Sequence, residues 1–169
     1  MTYNWRLPLD KGFKLGPAFG VVDSWHPNGH RGTDYNGVPG GAPCKAVGDG
    51  EIVLNQFSKV LGNIVVLKVG KWYFGYCHLV KPSPLKVGAK VKSGDVVGGV
   101  GTTGSASSGN HLHFTLSLEP NGVIGGKVYD AHAFINKMAA AEKKALAQPV
   151  ATTAIPASVK HCATCACKE

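Results

Sequence analysis

The feature that most constrains the fold is a series of short apolar segments, each bounded by glycine, proline, asparagine or serine. Segments of this length that are rich in valine, isoleucine, leucine and aromatic residues are typical of β-strands. Glycine supplies 23 of the 169 residues, which suits many tight turns because glycine adopts positive φ without steric cost. No long stretch between the segments has the 3.6-residue periodicity of an amphipathic helix. The predicted strands are residues 51–54, 63–69, 71–78, 95–100 and 111–118.

These segments favour a mainly β fold, either an antiparallel sheet or a small barrel, with a short helix near the C-terminus. Gly70 separates two predicted strands and indicates a hairpin turn. Asp130 can cap a helix over residues 131–138, and the alanine-rich residues 139–146 can extend it.

Composition divides the chain into a folded part, residues 1–138, and a remainder, residues 139–169, that we predict to be a helix extension followed by a flexible tail. The tail contains four soft ligands in seven residues, which could bind a metal ion. Their spacing is too tight for a standard zinc finger, so we favour a tail with no fixed role. The four ligands are His161, Cys162, Cys165 and Cys167.

The net charge of +8 serves either solubility or attraction to an anionic polymer. The chain has only two arginines and no basic stripe, so we expect no nucleic-acid partner.

Its N-terminus lacks the cationic stretch and apolar run of a signal peptide, and no segment reaches the ~18 apolar residues of a membrane helix. We therefore expect a protein made in the cytoplasm, without membrane insertion, that another factor delivers to any site outside. The odd number of cysteines, five, argues against a secreted disulfide framework.

Histidines carry most of the chemical information. His30 and Asp34 lie four residues apart in a glycine-rich segment, which makes a helix unlikely and favours a tight loop or a strand edge. An imidazole and a carboxylate that converge from such a segment are good zinc ligands. The spacing alone is a weak signal, because it also occurs by chance.

A second pair, His111 and His113, lies on a predicted strand, where residues i and i+2 face the same side. Leu112 and Phe114 then face the core. The glycine- and serine-rich residues 104–109 precede this strand and predict a mobile loop where a substrate could enter.

His78 ends another predicted strand, on which it should share a face with Tyr76 while Cys77 points the other way. Catalytic zinc typically has three protein ligands and an open fourth position for water. His30, Asp34 and one histidine of the second pair can supply three ligands. The remaining histidine of that pair and His78 are then free to transfer protons, since imidazole titrates near neutral pH.

Taken in order, the patterns HxxxD, YxHL and HLHF resemble those of the lysostaphin/LytM-type zinc endopeptidases that act on peptidoglycan. The stretches between the patterns are also similar to that family, so the resemblance extends over residues 16–118. Two positions depart from it: Cys77 stands where a small residue is usual, and Asn110 replaces a frequent proline. The similar stretches are residues 40–53, 61–66 and 87–98.

The resemblance implies one zinc ion held by His30, Asp34 and His113. It implies that His111 is the general base, alone or together with His78, and that His78 also stabilises the oxyanion. It implies a largely antiparallel β fold with a substrate groove, formed by a catalytic domain at residues 1–138. The implied substrate is the stem peptide or cross-bridge of peptidoglycan.

Under this interpretation the chain is an endopeptidase, in the setting of a phage or prophage endolysin that a holin releases to the cell wall, and we expect it to be a monomer. Two alternatives stay open: a non-cutting module of the same fold that binds the wall or regulates a partner, and a virion-associated wall hydrolase. We expect surface or structural roles for the other histidines, which are His26, His132 and His161.

Overall fold

The structure is a computed structural model that describes residues 2–148. Within that part, the five predicted strand segments all form strands, and four further strands of two to four residues join them. The elements are β1 (Lys14–Leu15), β2 (Thr33–Asn36), β3 (Pro43–Lys45), β4 (Gly50–Ser58), β5 (Gly62–Val69), β6 (Trp72–Leu79), β7 (Lys90–Val91), β8 (Val96–Gly99), β9 (His111–Ser117) and α1 (Ala131–Ala147).

Seven strands form one antiparallel sheet in the order β1-β2-β9-β6-β5-β4-β7, and β3 pairs with β8 in a second, two-stranded sheet. The prediction of a mainly antiparallel β fold with a C-terminal helix is confirmed, in the form of an open sheet. Strand β9 lies between β2 and β6, so three segments that are far apart in the chain become neighbours. This order gathers the histidine patterns in the middle of the large sheet.

One face of the large sheet carries the main core. Leu112, Phe114 and Leu116 of β9 point into it, as their alternation with His111 and His113 predicts. The rings of Phe74 and Phe114 stack there, with centroids 5.8 Å apart and planes 10° apart. Such contacts between aromatic rings stabilise the core beyond the area they bury.

Helix α1 closes the other side of this core. Its first turn is capped by Asp130, whose carboxylate accepts a hydrogen bond from the amide of Ala133, so the predicted cap is confirmed. Phe134 packs against Trp5, Trp72 and Phe74. Within residues 2–148, α1 is too short and too polar to cross a membrane.

The Glu142 carboxylate attaches the N-terminal segment to α1. Its Oε1 accepts hydrogen bonds from the amides of Tyr3 (2.8 Å) and Asn4 (3.1 Å), and its Oε2 accepts one from Trp5 (2.9 Å). These three amides lie outside any strand, so the carboxylate supplies the acceptors that a sheet would otherwise provide.

At the end of β6, one side chain points in a different direction from the one predicted. Tyr76 lies opposite Phe114 and points into the main core, whereas Cys77 lies opposite His113 and packs in a smaller apolar cluster on the other face. His78 has a φ of 59°, in the left-handed region, which breaks the strand alternation. It therefore does not share a face with Tyr76 but turns toward His111 and His113.

Candidate metal centre

The register of two strands brings two of the predicted ligands together. Asp34 of β2 lies directly opposite His113 of β9, and side chains of such pairs share a face. His30 precedes β2 in a loop held by two backbone hydrogen bonds, from its amide to the Val21 carbonyl and from the Gly20 amide to its own carbonyl. All three side chains are nearly or fully buried.

Three candidate ligand atoms converge at this point. Asp34 Oδ1 lies 2.9 Å from His113 Nδ1 and 3.3 Å from His30 Nε2, and the two nitrogens lie 3.0 Å apart. Ligands at 2.0–2.2 Å from a tetrahedral zinc ion lie roughly 3.3–3.6 Å from one another. The two nitrogens and the carboxylate oxygen therefore suit zinc in both chemistry and spacing, and small outward shifts would complete the fit.

The protonation states of two of the three candidate ligands, Asp34 and His113, are also suited to a cation. Burial alone would raise the pKa of the Asp34 carboxyl, but hydrogen bonds and charge from His113 and His30 outweigh it and hold the pKa well below its usual value. Burial lowers the pKa of His113, although the Asp34 carboxylate partly opposes this. Burial also acts to lower the pKa of His30, yet its hydrogen bond to Asp34 raises it on balance. A carboxylate and a neutral imidazole are therefore ready to bind a metal ion.

Backbone carbonyls fix the tautomers of three rings. His30 Nδ1 lies 3.2 Å from the carbonyl oxygen of residue 18, His78 Nδ1 lies 2.8 Å from that of residue 103, and His111 Nδ1 lies 2.8 Å from that of residue 109. A carbonyl only accepts, so each Nδ1 carries the proton and donates. When these rings are neutral, each Nε2 keeps its lone pair.

His78 and His111 lie beside the candidate ligands. Their ring centroids are 4.8 Å apart, and His78 is 5.8 Å from the His113 ring. His111 Nε2 lies 3.9 Å from Asp34 Oδ1. Burial lowers the pKa of His78 to about 4, while its hydrogen bond to the Thr103 carbonyl opposes this. The structure thus brings all five predicted site residues into one cluster.

A groove crosses this cluster. The cluster lies in the wall of a cleft of about 410 Å³, and a second cleft of about 390 Å³ adjoins it, since both are lined by Trp25, His26, Asp34, Ala106 and His111. Ala106 belongs to the loop predicted to border substrate entry. Apolar side chains supply much of the wall of the first cleft: Val60, Leu61, Val123 and Ile124.

Among the groove residues that were not predicted from the sequence, His26 and Arg31 make specific polar contacts. His26 was expected to have a surface or structural role, yet its ring lies against that of His30, with centroids 4.2 Å apart, and its Nδ1 is 2.9 Å from Asp23 Oδ1. Arg31 donates to the carbonyl of Gly126 at 2.6 Å and so attaches the loop that carries Ile124. The position of His26 four residues before His30 is the one sequence signal that could have identified it.

The remaining predicted features do not line the groove. His132 Nδ1 is 2.6 Å from the Tyr35 hydroxyl, in a structural position. Cys44 and Cys77 are buried free thiols, and burial raises the pKa of each. His161 and the cysteines of the predicted tail lie outside the described residues.

Comparison with known proteins gives a consistent result. Residues 28–124 match Peptidase family M23. The chain is 38% identical over 111 residues to the peptidoglycan DD-endopeptidase ShyC of Vibrio cholerae; the match covers 65% of this chain and 23% of that protein. The chain therefore spans about a quarter of the length of this relative.

Solved structures share the fold. The catalytic domain of the antimicrobial peptidase lysostaphin from Staphylococcus simulans superposes with a TM-score of 0.63 at 30% identity, over 73% of this chain and 92% of that domain. A zinc-containing peptidase from Vibrio cholerae gives a TM-score of 0.61 at 30% identity, over 69% of this chain and 36% of that one.

Proposed function

Because the chain belongs to Peptidase family M23, we propose that it is a zinc-dependent endopeptidase that hydrolyses peptide bonds of bacterial peptidoglycan. The observation that carries the proposal is the convergence of His30 Nε2, Asp34 Oδ1 and His113 Nδ1 within 3.3 Å of one another. These residues would hold the metal ion. Zinc supplies a Lewis acid that polarises a carbonyl and lowers the pKa of water.

His111 is the first candidate for the general base. Its Nδ1 donates to a backbone carbonyl, so its Nε2, which lies 3.9 Å from Asp34 Oδ1, keeps a lone pair that is available to accept a proton from water. Its ring is partly exposed at the groove, where water and substrate can reach it.

His78 has the same tautomer but is buried, and the low pKa of its imidazole makes its protonated form a strong acid. Its Nε2 lone pair is free because Nδ1 donates to the Thr103 carbonyl, so it can accept a proton, although as a weaker base than ordinary imidazole. Once protonated, it can donate to a developing oxyanion or to the leaving amine. We propose this proton transfer as the role of His78 beside His111.

The shape of the groove supports an endopeptidase. The cleft that contains the ligand cluster adjoins a second cleft, and Asp34 and His111 line both, so a bound chain could extend past the cluster from one cleft into the other. The relative ShyC is named a peptidoglycan DD-endopeptidase, which makes a peptide cross-link of the wall the preferred substrate class.

We also propose that the protein acts at the cell wall as a lysin of the phage or prophage type. The net charge of +8 supports attraction to anionic wall polymers. Lysis of intact cells that weakens steeply with salt, while cleavage of isolated soluble muropeptides does not, would support electrostatic attraction to the wall. Equal salt dependence of both reactions would argue against it.

The enzymatic proposal is tested by turbidity loss of purified cell walls. We expect zinc-loaded wild type to clear the suspension, and both chelator treatment and the His113→Ala substitution to stop it. His132→Gln is the matched control, because His132 lies outside the groove, and it should clear the walls like wild type. Clearing that survives both chelator and His113→Ala would overturn the zinc mechanism.

A further inference from the structure

The carbonyl that sets the tautomer of His78 belongs to Thr103, on the chain between β8 and β9. The distance from His78 Nδ1 to this oxygen is 2.8 Å. A histidine that must offer its Nε2 lone pair needs such an acceptor at Nδ1, because an unpaired imidazole exchanges between its two tautomers. The placement of the Thr103 backbone therefore decides which nitrogen of His78 carries the proton.

The Thr103 side chain holds that backbone between two strands. Its hydroxyl donates to the Leu79 carbonyl at 2.7 Å and accepts from the Asn63 amide at 3.0 Å. Asn63 and Leu79 are paired residues of β5 and β6, next to a register shift between Asn63 and Val65. The hydroxyl bridges this pair where the regular ladder is interrupted.

Two glycines allow the loop to approach this closely. A Cβ on Gly62 would lie 2.2–2.4 Å from atoms of Thr103, and a Cβ on Gly104 would lie 2.3 Å from the Gly62 amide nitrogen. Both glycines also have positive φ, which L side chains rarely adopt. The close contact between the two segments therefore depends on these glycines. The Thr103 hydroxyl bonds act there beside backbone hydrogen bonds from the Ser105 and Ala106 amides to the carbonyls of residues 59 and 60.

We propose that Thr103 is a positioning residue for the reaction: its hydroxyl bridges Asn63 and Leu79, and this holds its carbonyl where it keeps the proton of His78 on Nδ1. This inference rests on the proposed function for its catalytic consequence. The tautomer itself is a property of the metal-free protein and can be measured without any substrate.

The test combines ¹⁵N NMR of histidine-labelled, metal-free protein with steady-state kinetics of the zinc-loaded protein. The signals of His78 are assigned by comparison with His78→Asn. In wild type we expect one tautomer, with the proton on Nδ1. Thr103→Val and Thr103→Ala, which lack the hydroxyl, should show a mixture of tautomers and a kcat reduced about 10-fold or more with little change in KM. Thr103→Ser keeps the hydroxyl and should restore both properties.

Thr115→Val is the matched control, because it makes the same change of a hydroxyl to a methyl group on β9, the strand next to β6. The Thr115 hydroxyl is buried and has no hydrogen-bond partner within the described residues. This variant should keep the wild-type tautomer and kcat. Thr103→Ala provides a second hydroxyl-free variant, without the bulk of valine, if Thr103→Val does not fold.

The inference would be overturned if a folded variant without the hydroxyl kept the single tautomer of wild type and an unchanged kcat. That result would leave the proposed function standing, provided that His113→Ala is inactive. The opposite failure is distinguishable, since a wild type that cleaves no cell wall leaves the NMR comparison intact.

Discussion

Gly32 lies between His30 and Asp34, and the structure predicts that even an alanine here disturbs the metal centre. A Cβ at this position would lie 2.7 Å from His113 Cε1, 2.8 Å from His113 Nε2 and 2.7 Å from the Phe114 carbonyl oxygen. Ordinary contact begins at 3.4 Å, so the neighbours must retreat by roughly 0.6–0.7 Å. The carbonyl belongs to the backbone of β9, so the clash pushes β9 away from β2, and these strands carry His113 and Asp34.

Ligand distances in a zinc site hold within about 0.2 Å of their preferred values, so this displacement exceeds what the site tolerates. For Gly32→Ala we expect zinc affinity to fall about 10- to 100-fold, by analogy with loss of groups that orient metal ligands. That change corresponds to about 1.4–2.8 kcal/mol of binding free energy. Overpacking should also lower the free energy of unfolding of the metal-free protein by about 1–3 kcal/mol.

The assay is competition for zinc with a chromophoric chelator, together with urea unfolding of the metal-free protein. Gly125→Ala is the control, because a Cβ there meets nothing within 4 Å. It should match wild type in both measurements. Wild-type zinc affinity and stability in Gly32→Ala would refute the reasoning from steric contact.

Three further predictions concern pH, metal removal and the N-terminal attachment. The free energy of unfolding of the metal-free protein should fall as the pH drops from about 6.5 to about 4. His78 has a pKa of about 4 in the native state and an ordinary pKa of 6.5 in the unfolded chain, so in this range the unfolded chain binds a proton that the native protein does not. Urea unfolding of wild type against His78→Asn should show a difference in this pH-dependent loss of about 3 kcal/mol, and equal losses would contradict the assignment. Chelation should lower the Tm of zinc-loaded wild type but not that of Asp34→Asn, because a metal ion stabilises only a native state that binds it. Equal Tm shifts in the two proteins would show that the metal ion binds elsewhere. Glu142→Ala should lower the free energy of unfolding by about 1–3 kcal/mol with kcat unchanged, because three backbone amides lose their acceptor; wild-type stability on chemical denaturation would argue against that role.

Local patterns predicted the features of this protein that depend on neighbours in the chain. The period-2 alternation of β9 placed His111 and His113 on one face and Leu112 and Phe114 in the core, because strand geometry alone sets this arrangement. The helix cap at Asp130 could likewise be predicted from the sequence, since capping depends on the next three residues.

The rest depends on contacts between distant segments. Strand β2 is four residues long and largely polar, so nothing within it indicates that it pairs with β9 and sets Asp34 opposite His113. The direction of His78 was predicted wrongly because a left-handed residue at a strand end overrides alternation. His26 was missed because only the folded loop brings its ring against His30.

The most direct test of the central claim is mass spectrometry of fragments released from purified peptidoglycan by the zinc-loaded protein. Hydrolysis of peptide bonds predicts fragments that carry new amino and carboxyl ends, each cut adding one water, with intact glycan linkages. Asp34→Ala and His113→Ala should release none of them, since each lacks a residue proposed to bind the metal ion. Fragments cut only at glycosidic bonds, or the same peptide fragments from both variants, would contradict the account.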